Sequence, residues 1–482
     1  MKDSKIVSGM MWKLLERFGV QGVQFGVQII LARLLLPEHY GALSLMVILT
    51  SLANVFIQTG FNTALIQNRE ITEDDYSSVF WVSLGVTFVL YGVIFVIAPH
   101  IALLYDMPVI VVPLRVLALM LFPGTFNSIQ LAKVSRKLEF RKVFFSNIGG
   151  IVISGLCGIV IAYLGGGLWA LVVQTMMNIF VSCIVMAFTV QWFPRFVCDL
   201  RRVKVLFTFG WKLLAAGLLD TLYQDVRSLA IGLKYDSGTL GYYNRGKQFP
   251  QFMINAINSA VQSVMLPAMS DKQDSKGQLK ALMRKSIMLS TYIIFPMLAG
   301  LASVATPLVQ LLLTDKWLPC VPYLQIYCFT FAFLPVHSCN LQAINAMGRS
   351  DIFLKLEIIK KAIGITALSV GVFCFDSPIA IAMTGVFTTI ISCFVNAFPN
   401  KKLIGYSYFE QMQDIFPSFF AASIMCAVVL LVGTLQFNAI LTIVLQVIVG
   451  VIVYVLISVM VKLEPFYLLQ DMTKKMSSRR WQ

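Results

Sequence analysis

Five polar side chains recur through the first long apolar run of this sequence: Lys13, Arg17, Gln21, Gln24 and Gln28. On an α-helix, at about 100° per residue, they fall within about 80° of one another. Glu16 flanks that stripe. A later run carries Lys212, Asp220, Tyr223 and Arg227 within a similar arc, with Asp225 off the face. Arg and Lys bind phosphate through charge-assisted hydrogen bonds, and Asn, Gln and Tyr suit sugar hydroxyls. The chemistry these residue types offer is recognition of a bulky, anionic, hydroxyl-rich cargo, not bond making. Asp220, the deepest carboxylate, is the first candidate for coupling to an ion, with Asp225 and Glu16 behind it.

The two stripes correspond. At an offset of 199 residues Lys13 falls on Lys212, Gln21 on Asp220, Gln24 on Tyr223 and Gln28 on Arg227. The runs that follow each stripe are polar on one side as well. One carries Ser51, Asn54, Gln58 and Asn62; the other carries Gln251, Asn255, Asn258 and Gln262. Two accounts compete for such residues. A charge near the bilayer centre costs roughly 2.5–3.5 kcal/mol on insertion scales, so polar groups persist where they face a wet cavity. Asn and Gln also simply hydrogen-bond across packed helices, and Lys13, Arg17 and Lys212 lie close enough to helix ends to snorkel. One continuous polar face in both copies favours the cavity, whose expected lining is these stripes with Arg33, Gln58, Asn62, Asn258 and Gln262. Arg33, Arg245 and Lys247 are expected to flank its outer mouth.

Other chemistries find little support. The nine cysteines include no CxxC pair and most lie in apolar runs, which reads as small apolar packing. The three histidines are widely scattered, so no metal site, cofactor or catalytic dyad is expected. The net charge is +15, but no basic stripe is interleaved with stacking aromatics, and nucleic acid is not an expected partner.

The elements that must position these side chains are membrane helices. Of the 482 residues, 58% are hydrophobic and 13% charged, about half the charged share of a soluble domain. Apolar runs long enough to span a bilayer recur from 9–31 and 41–66, through 206–232 and 239–268, to 438–461. Fourteen such runs are expected, in an all-α integral membrane protein. The N-terminal run is interrupted by charge and reads as a first span, not a cleavable signal. With a cytoplasmic N-terminus, 28 of the 38 basic residues fall on the inner side and five on the outer, so both termini are expected inside. The acidic triplet Glu73-Asp74-Asp75 also falls inside. No loop is long enough for a soluble catalytic domain.

The chain repeats weakly. Trp12-Lys13-Leu14-Leu15 recurs as Trp211-Lys212-Leu213-Leu214, and LARLLLPEHYGALSL (31–45) matches IGLKYDSGTLGYYNR (231–245), with Gly41 opposite Gly241. Six spans separate equivalents, so the repeat is parallel. Expected domains are a six-helix lobe over 1–200, a second over 201–404, and two further helices with a cytoplasmic tail over 405–482.

Five segments in order carry a resemblance: LARLLLPEHYGALSL followed by NTALIQNREIT (62–72), GYYNRGKQFPQ (241–251) with MLPAMS (265–270), and QAINAMGRSDI (342–352). They resemble the polysaccharide-transport branch of the MOP exporters, and among these the Wzx flippases of the colanic-acid exporter type. The resemblance implies a two-lobed fold and alternating access. It implies movement of an undecaprenyl-diphosphate oligosaccharide across the bacterial inner membrane, in exchange for protons or sodium. Partners so implied are the lipid-linked oligosaccharide, membrane lipids, and a polysaccharide polymerase with its chain-length machinery. A drug exporter of the same superfamily is the alternative; it would favour a deep acidic site in the first half, where only Glu16 is available.

Overall fold

The computed structural model describes residue 12 and residues 19–67, 71–137, 139–272, 275–435 and 437–479. Among them the chain is all-helical, with no strand. The α-helices are α1 (Gln21–Leu34), α2 (Pro37–Gln67), α3 (Glu73–Leu104), α4 (Val111–Leu117), α5 (Leu121–Lys137), α6 (Phe140–Tyr163), α7 (Leu168–Val190), α8 (Leu200–Lys234) and α9 (Ser237–Ser270). They continue as α10 (Lys276–Ser303), α11 (Ala305–Leu313), α12 (Val321–Ala332), α13 (Leu334–Ala346), α14 (Ser350–Phe373), α15 (Pro378–Ile404), α16 (Tyr408–Gly433), α17 (Ala439–Met460) and α18 (Glu464–Arg479).

Among the described residues ten helical segments are long and apolar enough to cross a membrane, and α8 makes an eleventh if its two bent parts are one span. The chain is a multi-pass membrane protein. Of the fourteen expected runs, those on α1, α8, α9 and α14 fall outside the ten. α8 is outside them because it is bent between Leu200–Thr208 and Gly210–Lys234, which together are long and apolar enough; in α9 a face carrying Gln251, Asn255 and Asn258 lowers the apolar content that defines a span. In α14 the same is done by Lys355, Glu357, Lys360 and Lys361, while 14 residues of α1 are described.

The helices form two compact units, Met1–Gly241 and Tyr242–Gln482. The division falls in the first turn of α9 rather than at residue 200, because α8 packs along α2. In the second unit α16 and α17 are not set apart: α16 lies on α10, and α17 on α11 and α16.

In the first unit the tightest pairing is α6 with α7. Ser146, Gly150, Ser154, Gly158 and Ala162 recur every fourth residue of α6 and all are buried. Lipid gives helices little hydrophobic reason to associate, so small residues that let backbones approach are the device of choice. Ser146 Oγ donates to the Ser182 carbonyl at 2.6 Å and Ser182 Oγ returns a bond to the Ser146 carbonyl at 3.3 Å. Gly165 and Gly167, with φ of +81° and +51°, make the connecting turn in the left-handed region that suits glycine. A second close approach joins the starts of α2 and α9. A Cβ on Gly41 would strike the Ser237 carbonyl, and one on Gly241 would strike the Pro37 carbonyl. The two glycines that the repeat aligns therefore lie against each other, each at the other helix's first turn.

One end of the first unit is closed by charge. Asp75 completes a capping box with Thr72. The neighbouring carboxylates of α3 pair outward in three directions: Glu73 with Lys133 at 2.6 Å, Asp74 with Arg195 at 3.2 Å and Asp75 with Arg202 at 3.0 Å. The second unit has its own set, in which Arg284 of α10 reaches Asp414 at 2.8 Å and Glu464 at 3.2 Å, and Lys280 reaches Glu410 at 2.8 Å.

Candidate functional site

The glutamines of α1 sit on a helix held to α6 by the contact of Val27 with Gly155. Gln24 is exposed, and Gln21 and Gln28 are half-buried. Arg33, in the last turn of α1, is exposed. Lys13, Glu16 and Arg17 lie outside the described residues, as does the side chain of Asn62.

On α8, Lys212 and Asp220 are exposed, while Tyr223, Asp225 and Arg227 are half-buried. Gln224, one turn along, donates to Asp220 Oδ2 at 2.7 Å. The sequence reading omitted Gln224, although an amide four residues after a carboxylate is a recognisable helix pair. The exposed polar groups share α8 with exposed Trp211, Leu219 and Leu222.

Gln58 stands exposed at the edge of a pocket of about 180 Å³ inside the first unit. Its other polar lining is Asn127 and Ser128 of α5 and Asn147 of α6. These three were not singled out from the sequence, although Thr125, Asn127, Ser128 and Gln130 put four polar residues into one and a half turns of an apolar run. The sequence reading placed Gln58 in a cationic lining; the pocket beside it is lined by amides and a hydroxyl, with no charged side chain among the described residues.

The polar groups of α9 are engaged within the second unit. Asn258 is buried and its Oδ1 accepts from Ser338 Oγ at 2.8 Å, while Gln262 Nε2 donates to the same hydroxyl at 3.3 Å. Here the two amides tie α9 to α13. Arg245, expected at an outer mouth, is instead only 5% exposed, with its guanidinium 5.4 Å from the Trp317 ring and Nη1 donating to Gln248 Oε1 at 2.6 Å. Lys247 lies over the Tyr327 ring at 6.0 Å.

Two of the motifs that carried the resemblance make a close helix contact and a corner. In 241–251 the Tyr243 and Tyr327 hydroxyls hydrogen-bond, and a Cβ on Gly246 would sit 2.7 Å from the Cys320 carbonyl. In 342–352, Gly348 takes a φ of +70° between α13 and α14. The Arg349 guanidinium then forks onto Asp351 at 2.9 and 2.8 Å, and this hydrogen bonding pulls the Asp351 carboxyl down to about 2.

The chain is a multi-pass helical membrane protein, and solved structures share its fold. It matches the lipid II flippase MurJ in its inward closed conformation with a TM-score of 0.71, at 13% identity, over 94% of this chain and 98% of that one. It matches an inward-facing MATE family transporter of the MOP superfamily with a TM-score of 0.60, at 15% identity, over 81% of this chain and 98% of that one. The chain belongs to the polysaccharide biosynthesis protein family, whose model matches residues 30–322, more than half its length. It is 23% identical to the succinoglycan biosynthesis transport protein ExoT of Rhizobium meliloti, over 84% of this chain and 80% of ExoT. It is 22% identical to the lipopolysaccharide biosynthesis protein WzxC of Escherichia coli, over 86% of this chain and 85% of WzxC. The sequence resemblance to polysaccharide transporters, and the all-helical MOP-like fold, are borne out.

Proposed function

We propose that this chain is a flippase for a lipid-linked oligosaccharide. It moves an undecaprenyl-diphosphate glycan from the cytoplasmic to the outer leaflet of the bacterial inner membrane, for surface polysaccharide assembly. The observation that carries this is the polar face of α8, a helix of a multi-pass membrane protein that carries exposed Lys212 and Asp220 with half-buried Tyr223 and Arg227. Membrane helices keep such costly groups where a polar cargo must pass. Relatives named for succinoglycan transport and for flipping lipid II support the same reading.

In this reading the chain makes and breaks no bond of its cargo. Lys13, Arg17, Lys212 and Arg227 meet the diphosphate, and Gln21, Gln24, Gln28 and Tyr223 meet hydroxyls, while the polyprenyl tail stays in lipid. Arg33 greets the head on the outer side. Asp220, with Asp225 and Glu16, exchanges a proton or a sodium ion as the two lobes alternate. Both termini face the cytoplasm, and polymerase and chain-length machinery act downstream on the opposite side of the membrane.

The test is translocation of a labelled undecaprenyl-diphosphate oligosaccharide by the purified full chain in proteoliposomes, scored by access of an outside glycosidase. Time-dependent loss of protection is expected. Protection equal to that of protein-free vesicles, under imposed proton and sodium gradients alike, ends the proposal.

A further inference from the structure

The pocket inside the first unit has a chemistry distinct from that of the charged stripes. Its polar lining, Gln58, Asn127, Ser128 and Asn147, offers amides and one hydroxyl. Leu131, Val143 and Met186 give it an apolar wall. A phosphate would call for Arg or Lys, and a small cation for carboxylates. Neither is present in the lining among the described residues.

Asn127, in that lining, has an amide oxygen buried with no hydrogen-bond partner. Buried amide oxygens are almost always satisfied, so this one is unused capacity for a donor beside the pocket. At about 180 Å³ the space would hold about six waters at about 30 Å³ each. It falls below the roughly 300–1,000 Å³ of sites for drug-sized ligands.

We propose that this pocket is a subsite for one uncharged pyranose ring of the glycan. Such a ring brings hydroxyl donors and acceptors around its rim and an apolar C–H face. Those match the amides on one side and Leu131, Val143 and Met186 on the other. The subsite rests on the flippase reading and refines it: the stripes take the charge, and this pocket takes a sugar.

The test compares the affinity of the purified full chain for undecaprenyl diphosphate with that for undecaprenyl diphosphate bearing a single hexose. The wild-type chain is expected to prefer the glycosylated lipid by about tenfold. Asn127→Leu removes an amide of the lining at similar size, and Leu131→Phe narrows the pocket while leaving every amide in place. Both are expected to bind the sugar-free lipid as the wild type does and to lose the preference. A wild-type chain that binds the two lipids equally overturns the subsite and leaves the flippase reading standing. So do variants that keep the full preference. A wild-type chain that binds neither lipid removes the flippase reading itself, and the subsite with it.

Discussion

The seam between α6 and α7 and the cluster between α13, α15 and α16 solve one problem by opposite means. In the first, side chains are nearly deleted: Ser146, Gly150, Ser154 and Gly158 let two backbones close on each other. In the second, polar side chains fill the gap. Asn340 and Gln411 exchange hydrogen bonds at 2.8 and 3.0 Å, and Asn400 donates to Asn340 Oδ1 at 2.7 Å, with all three fully buried. Where lipid supplies no hydrophobic drive, helices are joined either by close backbone packing or by hydrogen bonds between polar groups. The contrast teaches that an amide inside an apolar run is not by itself a transport residue.

Substitutions at the closest backbone approaches should have the largest effects. Gly158→Leu puts a side chain where a Cβ alone would already lie 2.8 Å from Gln174 Cβ and 3.2 Å from the Ala170 carbonyl. Overpacking of this kind costs about 1–3 kcal/mol and sometimes more. Gly41→Leu meets the Ser237 carbonyl, which cannot rotate away. Both variants should fall in membrane-extracted yield and in melting temperature; a normal melting temperature for Gly158→Leu would mean that the α6–α7 seam is not tight.

Next comes the amide cluster. Asn400→Leu removes one of the two donors to Asn340 Oδ1, leaving the Gln411 bond. A loss of about 1–3 kcal/mol is expected for a disturbed buried polar group. Replacing Asn340, Asn400 and Gln411 together by Leu should cost less than the sum of the single changes, because no orphaned partner remains. Additive losses would break the account of this cluster as a network.

How much of this was legible in the sequence follows the same division. Gly41 and Gly241 were visible as a repeat, but an alignment does not show that equivalent residues touch. The α6 seam hid inside a run read only as apolar, since small and large apolar residues count alike in a hydropathy sum. Asn258 and Gln262 were assigned to a cavity, and their bonds to Ser338 depend on a helix 76 to 80 residues away in the chain. Asn127 and Asn147 were passed over because the pocket they line needs four helices to exist. The motifs that betrayed the family mark two close helix approaches, at Gly41 and Gly246, and one turn, at Gly348, which is why they identified architecture and said little about a site.

The surface charges should matter less. Asp74 and Arg195 are both more than half exposed, so Asp74→Asn should change stability by about 0–1 kcal/mol. Asp75 is buried, caps α3 and meets Arg202, so Asp75→Ala should cost about 1–2 kcal/mol. Comparable melting temperatures for the two variants would show that the buried capping carboxylate adds no more than the exposed pair.

The smallest effect on stability is expected where the transport reading places the most weight. Asp220 is exposed and the bond from Gln224 is a one-turn helix pair, worth about 0.2–0.5 kcal/mol. Asp220→Asn keeps the size and can keep that bond while removing the charge. It should leave yield and melting temperature within error of the wild type and still cut surface-polysaccharide export at least tenfold. Arg227→Ala should do the same, by loss of a phosphate contact. Normal export by both variants would place α8 with α13 and α15, as a helix whose polar groups serve packing, and would take the charged stripe out of the transport mechanism.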